Sequence, residues 1–280
     1  MPGSFDQRLP APLRALWCAA TGFIANDGST RAGYIAFASL FAVFPFLICL
    51  TALAGFAGRP EMVDEIVALA FEALPAEVVE TLAPVITEVL AERRGHLVTV
   101  GMIATLWAAS SGIEALRAGL NRAYEITEPR PVWHRRVQGL LFVVLGALVT
   151  LVATAAIVIG PDVWAFVSDM LRLPADWEGM YEAARYGVAP VTVFLAIAAL
   201  YRWLPKPGPN RLVLPGAGLA TVAWLILASL FSLYFERSTH YTVTYGSLGG
   251  IVVTLLFFYL SAVIFVFGAE FNAALRRVRP

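Results

Sequence analysis

Charge is scarce in this sequence. Only 14% of its 280 residues are Asp, Glu, Lys or Arg, and cysteine and histidine are rarer still, at two and three copies. Each shortage excludes something. Cys18 lies in the N-terminal segment and Cys49 inside an apolar run, so no disulfide is expected. His96, His134 and His240 stand apart from one another and from cysteine, and no His-Glu-x-x-His or Cys-x-x-Cys metal spacing occurs. There is no Gly-Lys dipeptide, which removes a P-loop and with it ATP-driven transport by this chain alone. A Gly-x-Ser-x-Gly nucleophile turn is also missing. No metal, cofactor or catalytic residue is assigned on these grounds, and the chain is not expected to be an enzyme.

What is present is apolar. Hydrophobic residues make up 59% of the chain and its mean hydropathy is +0.73. A soluble domain of this length needs more polar surface to cover its core. Six apolar runs are long enough, or nearly so, to cross a hydrocarbon layer about 30 Å thick as helix. They cover 34–57, 97–113, 137–160, 186–204, 212–235 and 245–269. Pro45 is expected to kink or break the first. The fold class that follows is all-α: a polytopic membrane helix bundle of six transmembrane helices, forming one membrane domain over 1–280.

Orientation is read from Lys and Arg. Counting from the N-terminus, fourteen of the twenty basic residues fall in segments that share its side of the membrane, and six fall opposite. The denser group includes Arg117, Arg122, Arg130, Arg135 and Arg136 between the second and third runs, and Arg276, Arg277 and Arg279 at the end. Both termini are therefore expected in the cytoplasm, with 1–33 and 270–280 as cytoplasmic flanks. The acidic residues concentrate in the opposite segments, 60–95 and 161–185, so the zero net charge conceals a separation of sign. It gives no electrostatic footprint for nucleic acid. Residues 1–30 carry Asp6, Arg8, Pro10, Pro12 and Arg14 before any apolar stretch, so no cleavable signal peptide is expected.

Two flanking segments read as more than linkers. In 13–25, Leu13, Leu16, Trp17, Ala20 and Ile24 share a helical face. That pattern suits a helix lying on the inner membrane surface or one packed against the bundle, and both remain open. In 60–95 the helical spacing of apolar residues predicts two or three amphipathic helices on the extracytoplasmic side. Trp164, Trp177 and Tyr181 in the second outer segment suit anchoring at the headgroup level.

Functional candidates cluster near the basic ends of the runs, because the run centres lack Asp, Glu, Lys, Arg and His. An acid-based proton relay across the core is disfavoured accordingly. The midplane hydroxyls, such as Thr150, Thr221 and Ser229, are expected to bond their own helix backbone or a neighbour. The second run is expected to continue as helix through Glu114, Arg117, Asn121 and Tyr124. Glu270, at the end of the sixth run, is expected to need a positive partner, with Arg117, Arg202 and Arg276 as candidates. Arg117, Asn121, Tyr124, Arg202, Glu270 and Asn272 form a candidate substrate or headgroup site at the cytoplasmic mouth. A salt-bridged helix end with topogenic charge explains the same residues without a ligand. Gly112, Gly246 and Gly250 lie in small-xxx-small spacings and are candidates for close helix packing.

Four stretches, in this order and spacing, resemble the YihY/BrkB membrane protein family. They are Ala36-Phe-Ala-Ser-Leu-Phe-Ala-Val-Phe-Pro-Phe-Leu47; Leu120-Asn-Arg-Ala-Tyr124 followed by Glu128-Pro-Arg130; Tyr245-Gly-Ser-Leu-Gly249; and Gly268-Ala-Glu-Phe-Asn-Ala273. The resemblance implies a six-span protein of the bacterial inner membrane. Members have carried ribonuclease and virulence labels, and transport, including of lipids, has been suggested for some. The sequence departs from the family where tyrosines often stand: here the positions are Phe37 and Ala38. The function expected is a transporter or facilitator of an amphiphilic, anionic substrate, with lipid as the leading class. The alternative is a structural or scaffolding envelope protein, and a ribonuclease is a distant third. Membrane lipids are the expected partners; nucleic acid is not, and a homo-oligomer or an envelope protein is left open.

Overall fold

A computed structural model describes residues 10–56, 97–158, 176–206, 212–237 and 247–278, with five positions between 160 and 170. The expected outer helices of 60–95, and Gly246, lie outside the described residues. Among the described residues seven continuous helices are present: α1 (Ala11–Ala25), α2 (Gly28–Phe56), α3 (Leu97–Ala123), α4 (Val132–Val158), α5 (Asp176–Trp203), α6 (Leu214–Arg237) and α7 (Ser247–Val278). The all-α expectation holds for them. Four segments of the described residues are by themselves long and apolar enough to cross a membrane: Val132–Ala156, Arg185–Trp203, Leu214–Leu233 and Val252–Val278. The first two expected spans, 34–57 and 97–113, fall on α2 and α3.

Local sequence explains several boundaries. A proline in its first turn starts α1, where no backbone donor is needed. Its exit passes through Asp27 at φ 55°. At the end of α3, Glu125 (φ 54°) takes the left-handed position. The Ile126 N–H then donates to Asn121 O at 2.7 Å and the Glu125 N–H to Arg122 O at 3.0 Å. This pair closes the helix as a Schellman motif. Pro45 does not end α2, which runs on to Phe56. Neighbouring helices make such prolines tolerable in apolar bundles. A second difference concerns α7. The apolar run stops at Glu270, but the helix continues two turns further and carries Arg276 and Arg277 in its last turn.

The packing forms a ring. α7 packs on α1, α2, α3 and α6; α6 packs on α5, α5 on α4, and α4 on α2 and α3. Buried positions are rich in small residues: Ala15, Ala19, Ala32, Ala36, Ala115, Ala217 and Ala269 are fully covered, whereas Leu141, Leu145, Leu148 and Val152 of α4 are exposed. In lipid, outward leucines cost nothing, and small inward residues let helices approach. The best-buried core, including Leu120, Tyr201, Leu204, Val213, Phe265 and Val266, lies toward the end of the bundle that carries α1 and the α7 C-terminus. This end also carries most of the described arginines and is called the basic end below.

Gly216 and Gly268 set the α6–α7 distance. A Cβ on Gly216 would lie 2.1 Å from Gly268 O and 2.4 Å from Asn272 Nδ2. One on Gly268 would lie 2.5 Å from the Tyr201 hydroxyl and 2.8 Å from Gly216 O. Backbone meets backbone here, so no side-chain rotation relieves the clash. We expect Gly216→Ala and Gly268→Ala each to destabilise the protein by about 1–3 kcal/mol or more, read as a lower unfolding midpoint in detergent. Gly33→Ala, with nothing within 4 Å, is the control and should leave the midpoint unchanged or raise it.

Candidate functional site

At the basic end α3 runs past the membrane-length region and brings Glu114 and Arg117 onto one face. Arg117 is 1% exposed. A guanidinium in that position needs its five donors met. Its Nη1 pairs with Glu114, its Nη2 donates to Gln138 Oε1 at 3.1 Å and Arg135 O at 3.3 Å, and its Nε reaches Leu204 O at 3.3 Å. Glu114 also binds Arg135. The short connection before α4 supplies a second set. Arg130 holds Glu128 in a bidentate pair at 2.7 Å on both oxygens and donates to Leu204 O at 3.0 Å. Asn121 Nδ2 donates to Glu128 Oε2 at 2.9 Å. Gln138 joins the two sets, accepting from Arg117 and Arg130 and donating to Trp203 O at 2.7 Å.

The network therefore lands on the last carbonyls of α5. Those carbonyls have no partner within their own helix and carry the negative end of its dipole. Two guanidiniums and one amide satisfy them from α3, the connection and α4. Arg130 and Asn121 hold the Glu128 carboxyl at about 2, well below the usual carboxylate value of 4.5, against the opposing effect of burial. Glu128 in turn raises the Arg130 guanidinium.

A separate contact joins α7 to α6. Asn272 Oδ1 accepts the Gly216 N–H at 2.7 Å, and its Nδ2 donates to Val213 O at 3.1 Å and to the Tyr124 hydroxyl at 3.3 Å. Gly216 is the third residue of α6, whose first N–H groups lack intrahelical partners, and Val213 before it has no side-chain oxygen. Asn272 acts as that helix's N-cap from another helix. Glu270 belongs to a third contact. It is 1% exposed, and its Oε1 accepts from Asn26 Nδ2 at 2.8 Å. Its Oε2 lies 2.8 Å from where a Gly22 Cβ would stand. The expected arginine partner is replaced by an amide, because α7 turns Glu270 toward the end of α1 while Arg117 is occupied by Glu114. The side of α1 that meets α7 is built from Ala15, Ala19 and Gly22, while Leu13, Trp17 and Ile24 remain exposed. Of the two expectations for this segment, packing against the bundle describes the face that meets α7.

The six candidate residues thus do not form one mouth. Arg117 and Asn121 lie in the network capping α5, Tyr124 and Asn272 cap α6, and Glu270 fastens α1. Arg202 is exposed and stands apart, beside a groove of about 600 Å³ between α5 and the start of α6. Gly112 faces α2, where its Cβ would lie 3.1 Å from Ala42 Cβ, and Gly250 lies in the first turn of α7. Sequence reasoning passed over Asn26, Gly22, Glu128, Gln138, Gly216 and Gly268 as site residues. Glu128 carried a signal, a carboxylate two residues from Arg130 in a short polar connection. Asn26 carried none beyond its place as a helix-ending residue.

A second apolar cleft, of about 250 Å³, lies inside the ring. It is lined from five helices, among them by Ile35 and Ser39 of α2, Leu116 of α3, Val193 and Ala196 of α5, Trp224 of α6 and Ser261 of α7. The Trp224 indole N–H donates to Ser261 Oγ at 3.2 Å. Among the described residues no three His, Cys, Asp or Glu side chains gather as a metal-binding group.

Long apolar helices with outward leucines and buried polar caps at one end define an α-helical multi-pass membrane protein. The chain belongs to the virulence factor BrkB family, whose model matches residues 19–280. It is 32% identical over 253 residues to the ribonuclease-like protein YfkH of Bacillus subtilis, covering 90% of this chain and 91% of that one. A UPF0761 membrane protein of Alteromonas mediterranea is 24% identical, over 87% of this chain and 81% of its own length. One from Xanthomonas campestris is 25% identical over 89% of this chain, which spans 57% of that longer protein. No solved structure matches.

Two outcomes are expected. Glu128→Gln should lower the unfolding midpoint at pH 7. Because the folded carboxyl titrates near 2 rather than 4.5, its stabilisation is full above the unfolded value and is lost as pH falls through the folded one. The gap between wild type and Glu128→Gln should therefore narrow between about pH 4.5 and 2. Separately, Asn26→Ala and Glu270→Ala should loosen α1, read as faster limited proteolysis of residues 10–26. The penalty is about 1–3 kcal/mol for the broken buried bond. Glu125→Gln, whose pair with Arg277 is exposed, should cost less than about 1 kcal/mol.

Proposed function

We propose that this protein facilitates movement of an amphiphilic, anionic lipid across a bacterial inner membrane, without covalent chemistry. Six spans with both termini and the basic end in the cytoplasm complete the reading, on the strength of the arginine asymmetry. The observation that carries it is the cleft within the ring. Its walls are apolar, and the Ser39 and Ser261 hydroxyls and the Trp224 indole supply its polarity. Such a lining suits an acyl chain or a weakly hydrated polar group and would repel a bare ion. At about 250 Å³ the cleft is smaller than most small-molecule pockets, about 300–1,000 Å³. Passage therefore requires the ring to widen.

The joint that opens is α5. It packs mainly on α4 and α6, and it contains Pro190, one turn before Val193 of the cleft wall. A proline within a helix removes a backbone bond and makes bending easier there. Below the cleft, the Tyr201 hydroxyl donates to Phe265 O at 2.6 Å and the arginine network holds the end of α5. In this conformation the basic end is shut. The scaffolding alternative uses the same seal as a permanent structural feature.

The full-length protein in liposomes of phosphatidylglycerol and phosphatidylcholine tests the proposal. A fluorescent lipid should become accessible to an external quencher faster than in empty vesicles. Ala196→Trp, which fills the cleft, should slow this at least severalfold while the unfolding midpoint is kept. No acceleration by the folded wild type favours the scaffold, and acceleration untouched by Ala196→Trp moves the path away from the cleft.

A further inference from the structure

We propose that the groove beside Arg202 is a binding site for one anionic phospholipid, separate from the central cleft. The groove lies where the membrane-length segment Arg185–Trp203 ends and Leu214–Leu233 begins. Its walls are Leu195, Ala198 and Ala199 on α5, and Leu214 and Pro215 at the start of α6. Arg202, Trp203, Leu212 and Val213 complete it, and its volume is about 600 Å³. Leu195, Trp203 and Leu214 are each more than half exposed, at 58%, 60% and 63%. This surface faces outward between two spans, so its natural solvent is lipid.

The usual explanation of an arginine in the last turn of a helix is that it offsets the helix dipole. Here that task is already done. The Leu204 carbonyl receives Arg117 and Arg130, and the Trp203 carbonyl receives Gln138. The other arginines packed around this corner are also engaged: Arg117 and Arg135 with Glu114, and Arg130 with Glu128. Among the described residues Arg202 has no carboxylate within ion-pair distance. A cation left over at the edge of an apolar, laterally open groove matches a phosphodiester with its acyl chains. The arginine fork meets the phosphate oxygens, the groove between the helices takes a chain, and the Trp203 ring sits at the headgroup level. Basic pockets between spans are where anionic headgroups bind. A soluble phosphate would gain only the charge, and a protein partner would find the groove at membrane depth. The lipid uses both halves.

The proposal concerns binding and holds whether or not the protein moves lipid between leaflets. The full-length protein is reconstituted in nanodiscs of equimolar phosphatidylglycerol and phosphatidylcholine, and lipids retained on extraction are counted by native mass spectrometry. The wild type should retain phosphatidylglycerol preferentially. Arg202→Gln should reduce that preference about fivefold, the effect of one basic residue at a membrane surface. Arg202→Lys should restore part of it, and Leu195→Trp should reduce it by filling the groove with the charge intact. Arg122→Gln, an exposed arginine of the same end, should change it little. Unfolding midpoints in neutral detergent confirm that each variant is folded. Glycerol phosphate at millimolar concentration should not displace the retained lipid. Equal loss in Arg202→Gln and Arg122→Gln would overturn the site, because general surface charge would then suffice. So would displacement by glycerol phosphate, or a lipid-independent dimer that Leu195→Trp dissociates.

Discussion

The guanidinium of Arg117 is buried where three helices and a connection meet, and it is tolerable there because four of its five N–H groups reach acceptors. Glu114 supplies charge from one turn earlier on the same helix, Gln138 an amide oxygen from α4, and Leu204 and Arg135 their backbone carbonyls. Removing Glu114 would leave the buried Arg117 guanidinium without its counter-charge, at a cost of about 3–5 kcal/mol. The network fixes α3, α4 and the end of α5 relative to one another. The rest of the basic end inherits that frame. Tyr201, Leu204 and Phe265 pack above it, and the Asn272 cap on α6 sits beside it through Tyr124.

That frame separates two kinds of arginine that look alike along the chain. Arg117, Arg130 and Arg135 spend their charge on internal carboxylates and carbonyls. Arg202, one turn from the capped end of α5, faces outward onto apolar groove walls. Arg122, Arg276 and Arg277 at the same end are exposed as well, but none of them lines that groove.

α7 is the element against which the others are positioned. Gly268 lets α6 approach to backbone contact, Glu270 fastens α1, and Asn272 caps α6, all within about one and a half turns of helix. This explains why a polar stretch extends a helix that hydropathy ends at 269. Glu270 and Asn272 point at other helices rather than at water, so the loss of apolar character marks an interface and not a terminus. α1 uses small residues against α7 and leaves Leu13, Trp17 and Ile24 outward.

The membrane class, the helical fold and the crowding of arginine at one end were legible in the sequence. Apolar runs of about 20 residues, and charges adjacent to them, are local quantities that transfer energies convert directly into spans. The family resemblance rested on equally local stretches. The candidate residues were found as types but not as a site. Arg117 meets a carbonyl 87 positions away and Asn272 an amide 56 positions away. Gly112 and Gly216 each stand one turn from a small residue, Ala108 and Ala220, whereas the meeting of Gly216 with Gly268 is made between two helices and has no sequence spacing. Hydrocarbon as solvent is decided by composition, window by window. Which polar group satisfies which helix end, and which arginines are left exposed, depends on pairings that exist only once the helices are packed.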